Sequence, residues 1–211
     1  MFTMSTSRKK QIDEAPSYHH GNLREALLEE GLKLLESGET ADFSLRELAR
    51  RVGVSANATY RHFESKEALL AAMAAEGFRR LAQVQVQAMQ DKGSMSAAFF
   101  ASGRAYVDFA RCNPGLFRLI FGRFTGSTQS EEMAAAGQVA FDGLRFAVAK
   151  ILGKAVESRE VEIGALQSWS LVHGLSHLVL DGKLDGRRDD VDTLIDAVLG
   201  QAMVMSQARG K

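Results

Sequence analysis

Hydrophobic residues recur every three or four positions along most of the chain, and this spacing predicts amphipathic α-helices. Such runs predict helices over about residues 22–38, 45–52, 56–63, 65–91, 130–152, 158–180 and 190–208. No stretch alternates polar and apolar residues over the useful length of a strand. The pattern therefore predicts an all-α protein.

Residues 44–66 predict two short helices joined by a tight turn. Ser44 and Glu47 have the spacing of a capping box at the start of the first helix. Gly53 stands where a left-handed residue ends a helix, and Ser55 can cap the second helix. Two short helices with a glycine-containing turn between them are typical of a helix-turn-helix.

The same stretch is locally basic. It carries five Lys or Arg residues against two Glu, whereas the whole chain has a formal net charge of zero. Such an excess favours contact with phosphates. Ala56, Asn57 and Thr59 begin the second helix with small or amide side chains, which let a helix approach base edges, and Asn can pair with adenine. On spacing alone, an ordinary helical hairpin with a solvated basic face remains the alternative.

The run VGVSANATYRHFESKEALL at residues 52–70 resembles the DNA-binding motif of the tetracycline-repressor (TetR) family of bacterial transcriptional regulators. The likeness rests on Gly53, the YRHF run and the KE pair that opens the next helix. It implies that the second helix enters the major groove, that Tyr60 and His62 reach phosphates, and that Lys66 holds a phosphate. Asn57 and Thr59 depart from the family, which often has glycine and an aliphatic residue at these two positions.

The resemblance and the basic pattern together define an expected DNA-contact set within the two helices and the start of the third. Its members are Ser44, Arg46, Ser55, Ala56, Asn57, Thr59, Tyr60, His62 and Lys66. The predicted organisation is a disordered tail over residues 1–17, a helix-turn-helix domain over 18–66 and an effector-binding and dimerisation domain over 67–211. The basic run at residues 8–10 leaves open a contact between the tail and the minor groove.

Aromatic residues collect after residue 93, where they either fill a core or line a cavity for an apolar ligand. The segments NPGLFRLIFG and WSLVHG resemble the C-terminal domain of a TetR subgroup with a Trp…His-Gly (WHG) signature. That resemblance implies an effector pocket for a small apolar or aromatic molecule. The candidate pocket residues are Phe109, Phe117, Phe121, Trp169 and His173.

The last two predicted helices carry more apolar surface than one helix pair can bury, which favours a two-fold four-helix interface between protomers. The candidate interface residues are Leu171, Leu175, Leu178, Leu194, Ile195, Val198 and Leu199. Such a dimer predicts a roughly palindromic operator. Packing of these helices within one chain is the alternative.

No metal, cofactor or catalytic role is predicted. His173 and His177 share a helix face with Asp181, but a metal would need a ligand from another helix, and a structural role for the histidines is favoured. No phosphate loop or nucleophile elbow is present. The single cysteine, Cys112, is expected to be a buried structural thiol.

The chain contains no apolar run of the ~18 residues that a membrane span needs, and its N-terminus lacks the apolar core of a secretory signal. These features favour a cytoplasmic protein.

Together with the DNA-binding motif and the predicted subunit interface, they lead us to expect a homodimer that binds double-stranded operator DNA and is released from it by a small effector. Two alternatives remain at this point. One is an effector-independent architectural DNA-binding protein, and the other is an enzyme built in the helical pocket.

Overall fold

The computed structural model describes residues 22–37, 43–122, 131–187 and 189–208. Within these ranges there are nine α-helices and no β-strand, so the all-α prediction is confirmed. The helices are α1 Leu23–Glu36, α2 Leu45–Val52, α3 Ala56–Tyr60, α4 Lys66–Met89, α5 Met95–Cys112, α6 Pro114–Phe121, α7 Glu131–Leu152, α8 Arg159–Leu180 and α9 Val191–Ala208. The predicted tail over residues 1–17 lies outside the described part of the chain.

Serine caps fix where many of these helices begin. The side-chain oxygens of Ser44, Ser55, Ser65, Ser94 and Ser158 each accept a hydrogen bond from the backbone N–H three residues later, which satisfies one of the free donors at a helix start. The Glu47 carboxylate, the second group of the predicted capping box, lies 3.4 Å from the Arg51 guanidinium.

Two other local features decide how the helix-turn-helix ends. Gly53 closes α2 in the left-handed conformation, with φ of 77°. The second helix ends at Tyr60 and not at the predicted Phe63. Here the backbone N–H groups of His62 and Phe63 both bond to the Thr59 carbonyl, at 3.0 Å each, and the tightened turn carries the Phe63 ring into the core.

The longest helix, α4, packs against α1, α5, α6 and α7 and lies at the centre of the molecule. Its buried side chains, including Leu69, Met73 and Leu81, join a hydrophobic cluster with residues of α1, α2, α5 and α6. The helix-turn-helix and the first helices of the C-terminal part therefore share one continuous core. Both α4 and α6 contact α1 directly.

The last helix packs within its own chain, on α5 and α8. Leu175, Ile195 and Leu199 are only 6%, 0% and 5% exposed and form a cluster there with Val107 and Leu184. The prediction that these three side chains form a subunit interface is therefore wrong, because the protomer already buries them. Leu178 and Val198 keep 45% and 39% of their surface exposed, and Leu171 and Leu194 are half-buried.

Asn113 and Pro114 form the junction between α5 and α6. Pro114 is the first residue of α6, a position that suits proline because its missing N–H would be unsatisfied there. The preceding Asn113 caps the other helix, because its Nδ2 donates to the Phe109 carbonyl at 3.0 Å. Cys112 is exposed, so the expectation of a buried thiol is wrong. Among the helices described, none has the length and apolar character to cross a membrane.

Candidate DNA-binding interface and ligand cavity

The helix-turn-helix formed by α2 and α3 leaves a group of polar side chains exposed, which we call the α2–α3 surface. Its members are Ser44, Arg46, Ser55, Asn57, Tyr60 and His62. Lys66 adjoins this surface at the first residue of α4, and its Nζ lies 5.6 Å from the centroid of the Phe43 ring. Ala56 is half-buried at the start of α3. All these residues belong to the DNA-contact set expected from the sequence.

Thr59 is the exception in that set. Its side chain is 0% exposed, and its Oγ1 has no hydrogen-bond partner among the described residues. The side chain therefore points into the protein, and the prediction that it contacts DNA is wrong. The helix α3 is only five residues long, and Thr59 is its buried residue.

A cavity of about 1220 Å³ lies between α4, α5, α7 and α8. Seven aromatic side chains contribute to its wall: Phe78, Phe99, Phe100, Tyr106, Phe121, Phe141 and Trp169. The charged side chains among the described lining residues are Lys154 and Glu160, which form an ion pair with each other. Both are about half exposed, so they lie where the cavity meets solvent. The other lining residues are either apolar or polar without a charge.

A small polar cluster interrupts the aromatic wall. The Tyr106 hydroxyl lies 3.0 Å from His173 Nδ1 and accepts a hydrogen bond from Trp169 Nε1 at 3.3 Å. Burial raises the pKa of Tyr106 well above its ordinary value, against a smaller opposing effect of the Trp169 hydrogen bond. Burial, followed by repulsion from His177, lowers the pKa of His173 below 6.5. At neutral pH the cluster is therefore uncharged.

Phe121, at the end of α6, connects this cluster to α4. Its ring centroid is 4.8 Å from that of His173 and 4.9 Å from that of Phe117. On its other side it meets Phe78 of α4 edge-on at 5.5 Å. Edge-to-face aromatic contacts of this kind have a preferred geometry, and through them Phe121 joins the cavity wall to α4.

The start of α6 contacts the end of α1, the helix that packs on α2. The backbone N–H groups of Gly115 and Leu116 donate to the Glu36 carboxylate of α1, at 3.2 and 2.8 Å. A carboxylate is favourable at the N-terminus of a helix because it meets free N–H donors and the positive end of the helix dipole. The helix α6 thus bridges the cavity and the last residue of α1.

Two family models match the chain. The model described as bacterial regulatory proteins of the tetR family matches residues 27–73, and the tetracyclin repressor-like C-terminal domain matches residues 99–202. Together they span the helix-turn-helix and most of the helices around the cavity. The chain belongs to the TetR family. It is a transcriptional regulator, and its helix-turn-helix is a DNA-binding unit.

Solved structures share this TetR fold along almost the whole chain. A protein of unknown function from Rhodococcus sp. RHA1 is 32% identical, with a TM-score of 0.74 over 90% of this chain and 96% of that one. A TetR-family regulator from Streptomyces coelicolor is 22% identical, with a TM-score of 0.67 over 89% and 82%. A TetR variant from Acinetobacter baumannii in complex with minocycline is 17% identical, with a TM-score of 0.59 over 88% and 96%. The last two likenesses concern the fold alone.

The candidate pocket residues of this TetR protein separate into three groups. Phe121 and Trp169 line the cavity, whereas Phe109 and Phe117 are fully buried in the core behind it. His173 reaches the cavity wall through its contact with the Tyr106 hydroxyl. The prediction that Phe109 and Phe117 line the cavity is therefore wrong. Aromatic content in a sequence does not distinguish a core position from a lining position.

The sequence interpretation missed Tyr106 and the lining residues of α7. A usable signal exists in α5, where Phe99, Gly103 and Tyr106 fall on one helical face. A small residue between two large aromatic ones leaves room for a ligand on that face. On α7 the small Gly137 and the large Phe141 repeat this arrangement.

A metal site is not formed by the histidine pair. The rings of His173 and His177 meet edge-on with centroids 4.7 Å apart, and both lie against Phe117. In the part of the chain that the structure describes, no three His, Cys, Asp or Glu residues come close enough together to hold an ion. The histidines pack as aromatic residues here.

Proposed function

We propose that this TetR-family regulator is a homodimeric repressor, released from a palindromic operator when a small apolar or aromatic effector enters the cavity. The observation that carries the proposal is the position of α4. It begins with Lys66 beside the α2–α3 surface and contributes Phe78, Leu81 and Gln85 to the cavity wall. One rigid helix thus connects the two sites.

The proposed DNA contacts follow from exposure and chemistry. With α3 in the major groove, Asn57 would read a base edge, and Tyr60, His62 and Lys66 would hold phosphates. Ser44 and Arg46, at the start of α2, would contact the backbone on the other side of the groove. Ser55 and Ala56 would let the N-terminus of α3 approach closely.

The coupling runs through α4 and α6. A ligand beside Phe121 changes the packing of that ring on Phe78, while α6 remains tied to Glu36 of α1. If the ligand binds better to a conformation with displaced recognition helices, operator and ligand must weaken each other's binding by the same factor. A ligand with equal affinity for both conformations would release nothing.

Dimerisation is proposed through the outer faces of α8 and α9. Leu178 and Val198 are apolar side chains left exposed there, and Leu171 and Leu194 are half-buried beside them. A two-fold axis through this surface would pair two α2–α3 surfaces and require half-sites ~34–36 Å apart or a multiple of that distance.

Two further parts of the proposal concern subgroup and location. Trp169, His173 and Gly174 support assignment to the WHG subgroup. A regulator of chromosomal DNA would act in the cytoplasm.

The test is enrichment of binding sites from a random DNA pool by the purified protein. A two-fold symmetric site is expected for the wild type and should be lost in the double variant Tyr60→Ala, Lys66→Ala. Absence of enrichment by a folded wild-type dimer would contradict the proposed DNA recognition. Ligands that fit the cavity can then be tested for release of the recovered operator.

A salt titration with the recovered operator tests the role of Lys66 separately. Each phosphate contact contributes about 0.9 to the slope of log affinity against log salt concentration, so Lys66→Ala should reduce the slope of a dimer by about 1.8. Lys150→Ala is the matched control, since Lys150 is an exposed lysine near the far end of α7. Equal slopes for the two variants would contradict the phosphate role of Lys66.

A further inference from the structure

We propose that the effector is a large, uncharged aromatic compound that is anchored by one hydroxyl or carbonyl group on the Tyr106 hydroxyl. This inference rests on the proposed function, because it takes the cavity as the effector site. It adds a polar anchor and a charge requirement to that proposal. It is carried by the geometry of Tyr106, by the charge of the wall and by the size of the cavity.

Tyr106 lines the cavity, and its hydroxyl retains one hydrogen-bonding position beyond its two contacts within the protein. It accepts from Trp169 Nε1 and is within hydrogen-bond distance of His173 Nδ1. If His173 Nδ1 is unprotonated, Tyr106 donates to it and keeps an acceptor lone pair. If Nδ1 carries the proton, Tyr106 accepts from it and keeps its own proton to donate. Either a donor or an acceptor on the ligand can therefore be matched by a change of the His173 tautomer.

The wall around this anchor does not suit an ion. The lining residues that the structure describes include one cation and one anion, Lys154 and Glu160, and these neutralise each other at the solvent end. Away from this ion pair the wall offers the Tyr106 phenol and the Trp169 indole, neither of which is charged at neutral pH. Burying an isolated charge without a partner is strongly unfavourable. A ligand group that reaches Tyr106 is therefore uncharged.

The size and the lining favour fused or linked rings. The volume of about 1220 Å³ exceeds the range of ~300–1,000 Å³ typical of sites for drug-sized molecules. The ring centroids of Phe141 and Phe121 lie 5.9 and 6.3 Å from that of Trp169. Flat aromatic ligands pack on such rings in stacked or edge-on arrangements.

The competing anchor is Lys154, which would favour an aromatic carboxylate. Such a ligand would have to displace Glu160 from its ion pair. It would also gain little, because the lysine side chain is 46% exposed and exposed ion pairs contribute weakly. The Gln85 amide is a weaker candidate, since its Nε2 already donates to Ser102 Oγ at 3.1 Å.

The experiment compares pyrene, 1-hydroxypyrene and 1-pyrenecarboxylate as probes of the full-length protein. Trp169 is the chain's one tryptophan and lines the cavity, so energy transfer from it to the pyrene ring reports binding at this site. The variants are Tyr106→Phe, which removes the hydroxyl alone, and Phe141→Leu, which removes a lining ring and no polar group. Circular dichroism establishes that each variant is folded.

The wild type should bind 1-hydroxypyrene roughly 2- to 13-fold more tightly than pyrene, the effect of one net hydrogen bond. Tyr106→Phe should reduce this ratio to near one, whereas Phe141→Leu should weaken both probes and leave the ratio unchanged. Equal wild-type affinity for the two probes would overturn the proposal without the need for any variant. A preference that persists in Tyr106→Phe would move the anchor to another residue and overturn it too.

The carboxylate probe separates the two anchors. We expect it to bind more weakly than 1-hydroxypyrene, with little change in the Lys154→Met variant. Tighter binding that is lost in Lys154→Met would assign the anchor to the solvent end and overturn the proposal. If 1-hydroxypyrene binds as expected but no bound probe changes operator affinity, the ligand class stands and the effector-release mechanism fails.

Discussion

The contact between α6 and α1 at Gly115 should tolerate no side chain. A Cβ at this position would lie 2.5 Å from the Leu35 carbonyl oxygen and 3.1 Å from its carbonyl carbon. Both are backbone atoms at the end of α1, so neither can rotate away. The Gly115→Ala substitution therefore forces the two helices apart.

The magnitude follows from the geometry. Restoring an ordinary contact between the new Cβ and the Leu35 oxygen requires the helices to move apart by about 0.9 Å, which would also stretch the two hydrogen bonds from α6 to Glu36. Overpacking of this kind costs about 1–3 kcal/mol, and the weakened charge-assisted hydrogen bonds add to it. We expect a loss of about 2–3 kcal/mol, or roughly 4–12 °C in the melting temperature of a chain of this size.

Gly143→Ala is the matched control. It makes the same change in the interior of α7, where a Cβ would meet nothing within 4 Å. Alanine has the higher helix propensity, so this variant should be more stable by about 0.5–1 kcal/mol. Urea unfolding followed by circular dichroism measures both variants. Equal stability of Gly115→Ala and the wild type would refute the tight α6–α1 contact on which the coupling between cavity and DNA-binding unit depends.

Three further outcomes are expected. Thr59→Val removes an unpaired buried hydroxyl and should raise stability by about 1 kcal/mol in thermal unfolding, with operator affinity unchanged; weaker operator binding would restore Thr59 as a DNA contact. The pKa of His173 is lowered in the folded protein, so its contribution to stability should be complete well above the unfolded value of about 6.5 and decline as the pH falls through that value. Denaturant titrations should show a smaller decline for His173→Asn, and an equal decline would exclude His173 as its source. Leu178→Asp should convert the dimer to a monomer in sedimentation velocity, and a persistent dimer would place the interface elsewhere.

Local chemistry in the sequence determined most of the secondary structure. Serine caps, Pro114 and Gly53 act through bonds and backbone angles within a few residues of themselves. The starts of α4, α7, α8 and α9 could therefore be predicted to within one residue, and so could the helix-turn-helix. The end of α3 could not be predicted, because it depends on the position in the core where the Phe63 ring packs.

Tertiary structure decided which partner each apolar face meets. Helical periodicity indicates that a face is buried, but it does not say whether another helix of the same chain or a second protomer covers it. Leu175 and Leu178 belong to the same helix and are both leucines, yet the first packs on α5 and α9 while the second stays exposed.

The cavity depended on tertiary structure in the same way. The sequence indicated an aromatic-rich C-terminal part, but lining positions differ from core positions only in whether a neighbouring helix fills the adjacent space. Phe117 meets the rings of Tyr106 and Phe121 and is buried, whereas Trp169 lines the gap between α4, α5, α7 and α8. That gap exists because four helices pack around it, and no single stretch of the chain encodes it.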